Sequence, residues 1–244
     1  MIKVTVWNEF VHEKTNENVR AIYPNGIHAC IQEFLEKDAE FTVRTATLDQ
    51  PECGLSDAVL ADTDVLLWWG HCSHSAVPDA LAKKIQEWVQ MGMGLIVLHS
   101  GHHAKPFKLL MGTSCDLRWR DGDRERVWCV NPTHPIAAGI PDYFELEQEE
   151  MYGECFRIPK PDDVIFAGWF AGGELFRSGC TFTRGNGKIF YFQPGHEEYP
   201  NYKNAYVQRI IINAVKWAKP VTMLEKLECI FAKDSPEKIR KTAD

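Results

Sequence analysis

Two short apolar runs constrain this chain more than anything else in it. Asp64-Val65-Leu66-Leu67-Trp68-Trp69-Gly70 and Gly94-Leu95-Ile96-Val97-Leu98 are apolar at successive positions, not alternate ones. That is the pattern of strands buried on both faces, which belong to parallel sheets covered by helices on each side. Between the runs, Pro78 opens a segment to Gln90 whose Leu81, Ile85, Trp88 and Val89 form a helical stripe, and Gly92 stands past its end. The pattern is strand, helix, strand.

The same alternation extends over most of the chain. Residues 2–7 read as a first strand emptying into a polar loop (8–25), residues 26–37 as a helix, and 41–48 as a second strand. Further strands are expected at 164–170, 180–183 and 188–192, and residues 205–218 carry a strong helical stripe. Arg118-Trp119-Arg120 and residues 125–130 read as a hairpin turning at Asp121-Gly122. The expected fold is a doubly wound, mostly parallel α/β sheet of the flavodoxin-like kind, with an antiparallel insertion at 118–130. One domain should occupy residues 1–219. Residues 220–244 form a partly helical extension with a charged tail, and its apolar stripe from Met223 to Phe231 calls for burial on its own domain or across a homo-oligomer contact.

Composition narrows the partners. A net charge of -7 leaves no broad basic field for nucleic acid or an anionic membrane surface. No window approaches the roughly 18 apolar residues of a membrane span. The eight cysteines form no CxxC pair and read as reduced thiols, and the opening residues read as strand instead of secretory leader. The expected compartment is the cytoplasm.

In an open parallel sheet, ligands bind beyond the carboxyl ends of the strands. Glu9, His71, His74, His99 and His196 fall at or just past those ends, with Glu197 and Glu198 following. His28, near the start of the first helix, belongs to the same edge. Strands about 4.8 Å apart bring such residues together whatever their separation in the chain. Imidazoles with carboxylates suit a divalent ion, zinc first and manganese second, so His28, His71, His99 and His196 are the candidate ligands. The spacing itself is undiagnostic, because His71-x-x-His74 lies in a loop and lacks the HExxH helix. Any one of these histidines, taken alone, is an ordinary hydrogen-bonded loop residue; the case is the group.

Leu98-His99-Ser100-Gly101-His102-His103 has the shape of a nucleophile elbow, with an imidazole at the presented position. His99 there is a ligand or general base; a Ser100 nucleophile served by His102 or His103 is a weaker variant. The segments 149–154 and 172–179 gather Glu150, Glu154, Glu174 and Arg177. Such charges ordinarily end in solvated loops, but the glycines beside them permit close approach to a ligand. Glu150, Glu154, Glu174 and Glu197 are therefore candidate bases and Arg177 an orienting cation. Trp119, Tyr152 and Tyr199, with Glu9, His74 and His103, are candidate substrate contacts, since aromatic faces beside hydrogen-bonding groups are a common way to hold sugars.

Trp69-Gly70-His71-Cys72-Ser73-His74, residues 92–100, Glu149-Glu150-Met151-Tyr152-Gly153-Glu154, residues 173–179 and Phe192-Gln193-Pro194-Gly195-His196-Glu197 occur in the order and spacing of the ThuA-like, trehalose-utilization family. The chain resembles that family over residues 2 to 218. The resemblance implies a class I glutamine-amidotransferase-like fold, but His99 stands where an amidotransferase has its elbow cysteine, so glutaminase activity is not expected. It also implies carbohydrate metabolism, with trehalose or a related disaccharide, or its 3-keto derivative, as small-molecule substrate and no nucleotide cofactor. A carbonyl at C3 acidifies the C2 proton, so a cation and a base could drive elimination, hydrolysis or isomerisation. Two alternatives remain: a non-catalytic carbohydrate-binding or regulatory protein, and a hydrolase using Ser100 or Cys72.

Overall fold

The computed structural model describes residues 1–229, 231–234 and 237 of the 244. A nine-stranded sheet runs in the order β2-β1-β3-β4-β9-β8-β7-β5-β6. Its strands are β1 (Ile2–Asn8), β2 (Phe41–Thr47), β3 (Val65–Trp69), β4 (Gly94–Leu98), β5 (Arg118–Cys129), β6 (Tyr143–Gly153), β7 (Asp163–Phe170), β8 (Leu175–Arg184) and β9 (Gly187–Phe192). The helices are α1 (His12–Thr15), α2 (Glu17–Ile22), α3 (Ile27–Leu35), α4 (Asp57–Ala61), α5 (Asp79–Met91), α6 (Lys105–Met111) and α7 (Ala205–Ala218).

The unbroken apolar runs have a direct structural reason. Val65, Leu67, Trp69, Ile96 and Leu98 pack on one face of the sheet with residues of α3 and α7. Leu66, Trp68, Leu95 and Val97 pack on the other with residues of α4, α5 and α6. Every position of β3 and β4 is buried, so none can be polar.

The sheet is mixed, a correction to the mostly parallel expectation. The pairings β2-β1-β3-β4-β9 are parallel. Those joining β9-β8-β7-β5-β6 are antiparallel, so the antiparallel part is half of the sheet and not an insertion at 118–130. Nor does Asp121-Gly122 close a hairpin. β5 continues through it, pairing with β6 and β7, and the register against β6 shifts between Arg120 and Glu125. Gly122 has φ +80°, a conformation that a turn and a bulge both demand of glycine, so the dipeptide alone cannot tell them apart. The acidic run 149–153 likewise lies inside β6, not in a solvated loop.

Beyond α7 no helix forms among the described residues past Ala218, and residues 230, 235–236 and 238–244 of the expected extension and its charged tail lie outside the described residues. Met223 packs against the core beside α5, and the Leu224 amide donates to Met91 O at 2.9 Å. Leu227 and Phe231 are exposed, and Ile230 lies outside the described residues.

Candidate active site

The elbow forms at His99. β4 ends at Leu98, His99 adopts the left-handed conformation (φ +49°), and a 3-10 turn over His99–His103 leads into α6. A non-glycine residue in that region is uncommon and held by its surroundings. Gly101 permits the sharp return: a Cβ there would stand 2.9 Å from Val97 Cγ1 and 3.3 Å from Trp68 O.

His99 is wholly buried and pinned from both sides. Its Nδ1 lies 2.9 Å from Gln193 O at the end of β9, and its Nε2 lies 3.1 Å from Glu150 Oε2 on β6. Burial by itself would lower its pKa. The Glu150 contact and the charges of Glu149, Glu150 and Glu197 prevail and raise it to about 9. Glu150 is held below the usual carboxylate range, because the bond and charge of His99 outweigh burial.

His71, just past β3, reaches the same place. Its Nδ1 is 2.9 Å from Glu197 Oε1 and 3.0 Å from His12 Nε2. His196, past β9, lies with its ring centroid 5.3 Å from that of His99 and 5.4 Å from that of His71. Burial and the neighbouring His99 charge hold His196 down to about 4, so it is neutral near pH 7. Glu197 is lowered to about 2, since the His71 bond and the surrounding imidazoles overcome burial. One donor atom from each of His71, His99, His196 and Glu197 falls within 4.8 Å of the others.

Two buried carboxylates hold this arrangement in shape. Glu9 accepts from the backbone amides of His71, Cys72 and Ser73 at 2.8 to 3.0 Å, fixing the loop after β3. Glu149 accepts from the amides of Gly195, His196 and Glu150 and from Asn201 Nδ2, fixing the loop after β9. Glu9 is thus a scaffold group and not an open substrate contact.

A cavity of about 410 Å³ opens above the cluster, walled by His71, His196, Glu197, Glu150, Tyr152 and, across the mouth, Trp119 and Asp121. His103 is also on its rim. Other expected residues are not brought in. His28 has its Nδ1 2.9 Å from Asn8 Nδ2, and the donor cluster does not include it. Arg177 forms a two-point ion pair with Glu154, not with Glu150 or Glu174, while Glu174 pairs with Arg120. His74 lines a neighbouring groove, and Tyr199 packs its ring beside His196 without lining the cavity.

The serine or cysteine hydrolase reading does not fit this geometry. Ser100 Oγ is 2.7 Å from Tyr152 OH, whereas His102 is bonded to Cys115 O and His103 to Asp116. Burial and the hydrogen bond to Glu9 push the Cys72 thiol up to about 11, leaving little thiolate at neutral pH. Sequence reasoning, for its part, missed His12, Glu149, Gln193 and Asp121. His12 was within reach of it, since the loop after β1 must start at the same edge as the loops after β3 and β4.

Residues 3–218 match the ThuA family, described as trehalose utilisation. The chain belongs to this family. Among solved structures it is similar to a ThuA-like protein from Parabacteroides merdae, with a TM-score of 0.68 at 16% identity, covering 91% of this chain and 92% of that one. A cytoplasmic protein of Salmonella typhimurium gives 0.58 at 15% identity over 90% of this chain and 100% of that one. A β-galactosidase from Rahnella sp. R3 carries the same fold in part of its length: TM-score 0.55, 10% identity, 89% of this chain and 31% of that one. No curated protein matches the sequence. Among the described residues of this ThuA-family chain, no helix is long and apolar enough to cross a membrane.

Proposed function

We propose that this ThuA-family protein is a divalent-cation-dependent enzyme of the cytoplasm acting on a carbonyl-bearing sugar, of the trehalose or related disaccharide class. The observation that carries the proposal is the convergence of His71, His99, His196 and Glu197 from three separate strand ends, three of them lining the cavity and His99 buried behind them. The donor set fits zinc, with manganese second. Glu197 Oε2 is buried without a hydrogen-bond partner and lies 3.7 Å from His196 Nε2, leaving a carboxylate oxygen free for a cation. Such an ion supplies Lewis acidity toward a carbonyl oxygen.

The chain's own residues supply the rest. Gln193 O accepts a hydrogen bond from the Nδ1–H of His99, which leaves Nε2 as the nitrogen available to the cluster, as the outer hydrogen bond of a ligating imidazole commonly does. Tyr152 OH, 3.5 Å from His99 Nε2 and 2.7 Å from Ser100 Oγ, stays protonated because burial pushes its pKa far up, so the two hydroxyls form a neutral hydrogen-bonding pair on the cavity wall. Trp119, 63% exposed, presents an apolar ring at the mouth for the C–H face of a sugar.

The test is elemental analysis of protein purified without a histidine tag, with turnover of 3-ketotrehalose before and after chelation. Stoichiometric zinc or manganese and turnover that chelation abolishes are expected. No bound metal and no gain on adding either ion would end the reading. Stabilisation by trehalose with no turnover of the keto form would leave a carbohydrate-binding protein instead.

A further inference from the structure

His102 lies outside the donor cluster, yet it lines the same cavity and is almost fully buried. Its Nδ1 donates to Cys115 O at 2.8 Å, and that carbonyl is itself positioned by the bond from the Cys115 amide to Arg157 O. This bond fixes the tautomer: the proton is on Nδ1 and the lone pair on Nε2. The ring is wedged edge-on against Tyr152 and Phe156 and tilted on His103, so its orientation is set by packing. Nε2 has no hydrogen bond within the chain and is not one of the fully buried orphaned atoms, so it opens on the cavity. Glu150 is paired with His99, Glu197 is bonded through Oε1 to His71, and His196 belongs with Glu197 to the donor cluster, which leaves His102 as a buried imidazole on the cavity that is outside that cluster.

We infer that His102 is the catalytic base of this site, accepting through Nε2 the acidic C–H proton next to the substrate carbonyl. The inference rests on reading the cavity as a carbonyl-sugar site. In the step, the C2–H bond breaks and its proton passes to Nε2. The freed electron pair forms the C2=C3 bond of an enediolate, and the carbonyl π pair moves onto oxygen. Return of the proton to C2 restores the starting material, so exchange with solvent can be observed without net reaction. Burial and His103 hold the His102 pKa well down, which keeps the lone pair free at neutral pH. The negative charge that develops on the substrate favours the imidazolium as it forms, since opposite charges attract strongly in a water-poor pocket.

The experiment follows exchange of the C2 proton of 3-ketotrehalose in deuterated buffer by NMR, with metal content and Tm measured on each protein. His102→Asn can keep the donor to Cys115 O while offering no lone pair at the Nε2 position; His102→Ala opens a hole for added imidazole. The expected result is exchange reduced by about 10²–10⁴-fold in both variants at unchanged metal content, with imidazole restoring part of it in His102→Ala. Exchange in folded His102→Asn within tenfold of the wild type would overturn the assignment and leave the proposed function standing. Wild-type turnover without C2 exchange would do the same. Wild-type protein that neither holds a cation nor turns over the keto-sugar would remove both.

Discussion

The two halves of the sheet contribute to the cavity in opposite ways. The parallel half delivers His71, His99, His196 and Glu197 from just past the ends of β3, β4 and β9, all at one edge because neighbouring strands point the same way. The antiparallel half has no such common edge. It contributes Trp119, Asp121, Glu150 and Tyr152 from within β5 and β6, where alternation sends successive side chains to opposite faces. On the proposed function, one half gathers the candidate ion donors and the other contributes much of the cavity wall, with Ser100 and His102 of the parallel half completing the lining. The division teaches that a mixed sheet can separate these tasks by strand direction.

The most severe way to probe the division is His99→Ala. It removes a donor from the parallel half and leaves Glu149 and Glu150 without their buried cationic partner, so a loss of about 3–5 kcal/mol in unfolding free energy is expected together with loss of metal. Urea denaturation and elemental analysis read both; near-wild-type stability with full metal content would erase the distinction between the halves.

Glu149→Gln tests whether β6 also shapes the parallel edge. An amide replaces an acceptor that faces four N–H donors, so a loss of about 1–3 kcal/mol is expected, with weakened metal retention because the His196 loop is no longer held. Retained affinity on metal titration would show that the loop keeps its shape without β6.

The pH dependence of the metal-free protein sharpens the comparison further. A folded-state imidazole pKa of about 9 for His99, above the unfolded value of about 6.5, means that its stabilisation is complete below about pH 6.5 and is lost as pH rises through about 9. The urea midpoint should fall across that window. Saturating zinc should flatten the fall, since a ligating imidazole has already given up that proton.

Trp119→Ala should act on substrate alone. The side chain is exposed, so folding and metal content should stay within error while KM for the keto-sugar rises about three- to tenfold, as befits roughly 1 kcal/mol of ring contact. The smallest effect is expected from Arg177→Ala, which breaks a partly exposed pair with Glu154 outside the cavity: about 1 kcal/mol of stability or less, with kcat unchanged. A large fall in kcat there would return Arg177 to the active site.

The contrast between the halves also explains what could be read from the chain. β3, α5 and β4 were legible because full burial of a parallel strand excludes polar residues, and His71, His99 and His196 were legible because they follow the runs directly. α7 matched its expected span for the same kind of reason: a wide apolar stripe meets one sheet face. β5 was read as the two arms of a hairpin instead of one strand, and β6 was not read as a strand. Arg118–Cys129 is rich in charge, its Asp121-Gly122 reads as a turn, and its partner strand begins fourteen residues after it ends.

Local pattern thus determined by itself where the buried strands stop and which imidazoles stand at their ends, because periodicity and burial act within a few residues. Tertiary structure alone decided the partners: that His99 faces Glu150 and Gln193, that Arg177 is taken by Glu154, and that His12 reaches His71. Those pairings depend on strand order and register, which join residues from 23 to 94 positions apart and leave no trace in any short window of sequence.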